Sequence, residues 1–183
     1  MDRDKLFLQI KGEFLAFDKE LQQKYGFKVR DTAKGIWGTS NLDHVYSLFK
    51  KIKLENYSRF LDVGCGDGRV VLVASLFTDA AGVEFDSDLV AKALEIKKKL
   101  GLTATITCGD FFEEDFSSYD IIFTNPDTGF YNGIEDKLLS EFKGKLIVYN
   151  NVFLPRLMKR GKTYWFDQVP VTASAEDAGK WLN

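Results

Sequence analysis

The sequence predicts a doubly wound, mostly parallel α/β sheet with an N-terminal helical extension. Three observations predict it. From Arg59 onward, short apolar runs alternate with amphipathic stretches. The first run, Phe60 to Val63, leads into a glycine-rich loop and then an apolar helix. The chain has 183 residues, 45% of them hydrophobic, enough for one core. Strands that alternate with helices imply βαβ units and a parallel sheet covered on both faces.

In order, Leu6, Phe7, Ile10, Phe14, Phe17 and Leu21 recur at steps of three and four, a helix stopped by Gly26. Residues 27–39, with Gly35, Trp37 and Gly38, read as a loop that could close over a ligand. Ser40 reads as an N-cap with Asp43 as its capping-box partner, opening a helix through His44, Val45, Leu48, Phe49 and Ile52. Then come a strand at 60–63, a helix at 70–77, a strand at 80–85, a helix from Ser87 to Leu100 stopped by Gly101, and strands at 103–107 and 119–124. A helix at 134–142 and strands at 145–149 and 163–169 complete the series, with a short last strand near Trp181-Leu182. No linker divides the chain, so 1–183 is read as a single domain: 1–56 as N-terminal helices and a covering loop, 57–183 as the core.

Composition removes several functions. No apolar run approaches the roughly 20 residues that span a bilayer, and the start of the chain lacks an apolar signal core, so a cytoplasmic protein without a membrane partner is expected. One histidine, His44, and two distant cysteines, Cys65 and Cys108, leave no metal site. The net charge of −2 argues against a dedicated nucleic-acid binder, whose affinity comes mostly from phosphate contacts.

The informative segment is Leu61-Asp62-Val63-Gly64-Cys65-Gly66-Asp67-Gly68-Arg69. In doubly wound sheets, ligands lie at strand carboxyl ends. A pyrophosphate loop reads G-x-G-x-x-G; here the spacing is Gly64, Gly66, Gly68, with Arg69 next. Asp62 would repel pyrophosphate and suits a ligand with a positive charge, such as the amino group of a methionine moiety. Glu84 ends the second strand at about the spacing of a ribose-binding acid. Phe85 could pack on an adenine face, Asp110 could accept from the adenine amino group, and Phe111 would lie beside the ring.

With these motifs in this order, the segment from Phe60 to Tyr149 resembles the class I, Rossmann-like S-adenosylmethionine (SAM) dependent methyltransferases. The resemblance implies SAM as cofactor, S-adenosylhomocysteine (SAH) as product, and cofactor contacts at Asp62, Gly64, Cys65, Gly66, Gly68, Glu84, Phe85, Asp110, Phe111 and Asn125. Cys65 is a variable loop position, not a nucleophile. Asn125-Pro126, after the fourth strand, matches the start of the Asn-Pro-Pro-aromatic motif of members that methylate amines, and is the expected catalytic pair; Asp127 and Thr128 depart from the motif. A second, diffuse resemblance is to the seven-strand, non-SET protein-lysine methyltransferases. Both imply a nitrogen acceptor, with a protein side chain slightly favoured. RNA or DNA exocyclic amines, a small molecule, and a SAM-binding module without catalysis stay open. Arg156, Lys159, Arg160 and Lys162 are expected on the acceptor side, as a solvated face.

Overall fold

The computed structural model describes residues 2–26, 29–32, 35–150 and 152–174. Helix α1, Arg3–Tyr25, buries Phe7, Ile10, Phe14 and Leu21, and Gly26 ends it in the left-handed region. The expected loop is instead an antiparallel hairpin, β1 (Val29–Thr32) and β2 (Gly35–Gly38). Four-residue strands bounded by glycine are too short to register an alternating pattern. Helix α2, Leu42–Ile52, is capped by Asn41, which accepts from the Asp43 and His44 amides. Ser40 is therefore not the cap, and Asp43 instead pairs with Lys11.

The main sheet has seven strands. β3 (Arg59–Val63), α3 (Arg69–Ala74), β4 (Asp79–Glu84), α4 (Ser87–Leu100), β5 (Thr105–Cys108), β6 (Ile121–Thr124), α5 (Ile134–Glu141) and β7 (Lys145–Tyr149) follow in sequence. The spatial order is β5-β4-β3-β6-β7-β9-β8, with β8 at Arg160–Phe166 and β9 at Val169–Ser174. β3 to β7 pair in parallel, while β9 runs antiparallel to both β7 and β8. The single run expected at 163–169 is thus part of a hairpin. Its turn uses Asp167 at φ 52°, a reversal without glycine inside a nearly continuous apolar stretch. Pro170 pairs only with β8, beyond the last β7 partner of β9, so no ladder bond is lost. The strand expected at Trp181-Leu182 lies outside the described residues.

Side chains alternate between two cores. Phe49, Phe60, Phe123 and Tyr149 pack with α1, α2 and α3, and Leu61, Ile122, Leu146 and Val148 with α5. Chain direction diverges between β3 and β6, the switch point where such sheets open a crevice. Among the described residues, no helix is long and apolar enough to cross a membrane, and no cluster of His, Cys, Asp or Glu is placed to hold a metal.

Candidate active site

The carboxyl ends of β3, β4 and β6 and the loops beyond them enclose a cavity of about 370 Å³, within the range of small-molecule sites. Its base is the glycine loop. The Gly64 and Cys65 amides both donate to the Val83 carbonyl at 3.0 Å, which folds the loop against β4. Gly66, at φ 55°, passes so close to Trp37 that a Cβ there would lie 2.3 Å from the indole Nε1. Trp37, on β2, is buried and lines the cavity. The hairpin is tied down a second time where the Ile36 amide donates to Asp127 Oδ2 at 2.6 Å.

Gly68, expected among the cofactor contacts, is not part of the cavity wall. It begins α3 at φ 74°, and a Cβ there would meet the Cβ of Ala93 at 2.7 Å. The third glycine is thus a packing requirement between the loop and α4. Arg69, next in sequence, is buried in an acidic clamp: Asp67 accepts from both Nε and Nη2, and Asp18 of α1 accepts from Nη2 at 2.7 Å. That clamp fixes α1 to the loop.

Two acids end adjacent strands. Glu84 takes the Gly66 amide on Oε2 at 2.9 Å and the Asp86 amide on Oε1 at 2.8 Å. Each carboxylate oxygen keeps a second lone pair for a ligand hydroxyl. Asp62 is only 2% exposed, and no described residue donates to it. Burial holds its carboxyl well above the usual range, and the charges of Glu84 and Asp67 add to the effect. A buried carboxylate without a donor, on the wall of a cavity, fits a ligand that brings an ammonium group. Cys65 is buried beside it, and burial likewise raises its thiol, which suits packing rather than attack.

Phe85, Asp110, Phe111 and Phe112 line the far wall, at the ends of β4 and β5. Asp110 Oδ1 caps the turn that follows it by accepting from the Phe112 amide at 3.0 Å. Asn125 and Pro126 line the opposite wall, after β6. The Asn125 amide is held at both ends: Nδ2 donates to Ser40 Oγ at 3.3 Å, and Oδ1 accepts from Asn150 Nδ2 at 2.6 Å. Ser40, buried and lining the cavity, is a site residue that sequence reasoning took for a cap. Of the basic cluster, Arg160 is not on this side. Arg160 pairs with Ser174, whose Oγ accepts from the amide of Leu146 at the start of β7, the end of the sheet away from the cavity.

Comparison with known proteins agrees with this geometry. The family described as "Methyltransferase domain" matches residues 54–173, more than half of the chain. A protein-lysine N-methyltransferase of Saccharolobus islandicus is 33% identical over 97 residues, covering 50% of this chain and 60% of that protein; the chain thus spans less than two thirds of that relative. The RNA methyltransferase of Salinibacter ruber, solved with SAH, has a TM-score of 0.62 at 21% identity, over 77% of this chain and 99% of that one. The tRNA (uracil-54, C5)-methyltransferase of Pyrococcus abyssi, also solved with SAH, has a TM-score of 0.62 at 12% identity, over 80% and 44% of the two chains. At such identities the two structures show a shared fold. The matched domain and the cavity at the sheet's switch point lead to one assignment: the chain belongs to the SAM-dependent methyltransferases.

Proposed function

We propose that the protein methylates nitrogen and that its acceptor is a protein side-chain amine. The observation that carries this reading is the charge of the cavity wall. Asp62, Asp67, Glu84, Asp110 and Asp127 face one cation among the described residues, Arg69, and Arg69 is already paired. Such a wall attracts an ammonium side chain and repels a phosphate backbone. The lysine acceptor named for the Saccharolobus islandicus relative supports the same reading. The free Cys65 and Cys108 suit a reducing compartment, which supports a cytoplasmic location.

Bound SAM supplies an electrophilic methyl group on a sulfonium centre. In this proposal Asp62 receives the amino group of the methionine moiety. Gly64, Cys65 and Gly66 present bare backbone beside it. Glu84 accepts from the ribose hydroxyls, while Phe85, Asp110 and Phe111 border the base. Asn125 accepts a hydrogen bond from the incoming amine and aims its lone pair, and Pro126 holds Asn125 in extended geometry. Positioning of this kind supplies much of the rate of such a transfer. Asparagine is no base, so the ammonium drawn in by the acidic wall must release its proton to water before transfer; the apolar walls of Phe123 and Phe130 favour the neutral form.

The Asn125-Pro126 pair also favours a second reading, an exocyclic amine of RNA or DNA. Incubation with methyl-tritiated SAM and a whole-cell extract separates the two. Protease-sensitive label recovered as methyl-lysine is the expected result. Nuclease-sensitive label would replace it with the nucleic-acid reading. Absence of label, with SAM binding intact, would leave a binding module.

A further inference from the structure

The Asn125 amide lies in a hydrogen-bond chain whose direction is fixed outside the cavity. The Val152 backbone amide donates to Asn150 Oδ1 at 3.0 Å. A backbone N–H only donates, so the oxygen of Asn150 must face it, and the NH₂ of Asn150 must face Asn125. That NH₂ donates to Asn125 Oδ1 at 2.6 Å, which turns the Asn125 NH₂ toward Ser40 Oγ. Asn150 has φ 66°, a left-handed conformation that asparagine tolerates better than most residues, and it is not part of the cavity wall. It closes a local turn on one side and touches a cavity residue on the other.

We propose that Asn150 is a positioning residue: it passes the polarity of the Val152 amide to Asn125 and so determines which atom of the Asn125 amide each part of the acceptor pocket meets. Without it, the two amide orientations of Asn125 compete, and only one places a carbonyl lone pair where Oδ1 now stands. This inference rests on the placement of the acceptor at Asn125.

The test needs no acceptor. Sinefungin carries an aminated carbon in place of the methylsulfonium of SAM, so its amine reports on the acceptor side, whereas SAH lacks any group there. Calorimetric titration gives both affinities for wild type, Asn150→Gly and Asn150→Asp. Glycine keeps the left-handed backbone and removes the amide. Aspartate still accepts from Val152 but cannot donate to Asn125. Both variants should weaken sinefungin about tenfold or more, the scale of one hydrogen bond to a charged group, with SAH within about twofold. The Asn125 side-chain NH₂ signals should shift in the ¹⁵N–¹H spectrum of Asn150→Asp. Sinefungin binding unchanged or tighter in Asn150→Asp overturns the proposal, since its added charge alone would attract the amine. Asn125→Ala is the control for the underlying reading. If that variant loses SAH and sinefungin equally, the acceptor assignment of Asn125 fails and the proposal falls with it. Selective loss of sinefungin in Asn125→Ala without selective loss in the Asn150 variants removes only the role of Asn150.

Discussion

Asp62→Asn separates two effects of one carboxylate. Without ligand, Asp62 is 2% exposed and has no donor among the described residues. Its pKa is raised, first by burial and then by Glu84 and Asp67. A buried unsatisfied group costs about 1–3 kcal/mol, and more when charged. The neutral isostere should therefore stabilise the ligand-free protein by about 1–3 kcal/mol near pH 8, or roughly 2–12 °C in Tm at about 2–4 °C per kcal/mol. The sign with pH follows from linkage. A carboxyl whose folded pKa is raised contributes its full stability below the unfolded value and loses it as pH rises through the folded value. Asparagine has no such loss, so the gain should be larger at pH 8 than at pH 5. With SAM the effect reverses: losing a charge-assisted hydrogen bond of about 1.5–3 kcal/mol weakens binding about 10- to 150-fold. Thermal scans at both pH values, with and without SAM, and calorimetric titration measure both arms. A variant that melts below wild type without ligand, yet binds SAM as wild type does, would refute the reasoning.

Two further substitutions probe what holds the site in shape. Arg69→Met leaves the buried Asp67 without the cation that pairs with it, so it should cost about 3–5 kcal/mol. Chemical denaturation reads this directly, and a loss below about 1 kcal/mol would mean that the clamp is not structural. Trp37→Ala removes the indole that covers Gly66. It should weaken SAM binding about 2- to 10-fold, the range of a single aromatic contact, and abolish any quenching of tryptophan fluorescence by SAM; unchanged affinity would place the cofactor away from the hairpin.

The expected site residues that share the cavity are local in sequence. The glycine loop, the acid ending β4 and the Asn-Pro turn after β6 each follow their strand within a few residues, so strand order alone delivers them to one crevice. The readings that failed depend on distant partners. Ser40 looked like a cap because its neighbours suit one, whereas its own partner, Asn125, is 85 residues away. Asn150 carries no motif at all, and its contact with Asn125 comes from a left-handed residue at the end of the neighbouring strand. Gly68 fits the motif, and its packing against Ala93 on α4 is a second demand that the motif does not reveal. The hairpin at 29–38 was hidden because short strands between glycines resemble a loop.

The same geometry explains why a glycine loop at a helix start here serves a cationic ligand and not a pyrophosphate. A dinucleotide fold offers loop amides to the phosphates. In this loop four of them have protein acceptors: Gly64 and Cys65 donate to the Val83 carbonyl, Gly68 to the Cys65 carbonyl, and Gly66 to the Glu84 carboxylate. Asp67 has its charge neutralised by Arg69, whereas Asp62 and Glu84 have no such cation, so a phosphate would meet their repulsion. An ammonium group meets the reverse situation. In the proposed binding mode, the penalty that burial places on the Asp62 carboxylate is relieved when a cation arrives, and the free energy withheld from the stability of the ligand-free fold reappears as affinity. Selectivity for a nucleoside with a positively charged tail therefore comes from two acids and a set of already satisfied amides, more than from the glycine spacing that first draws notice.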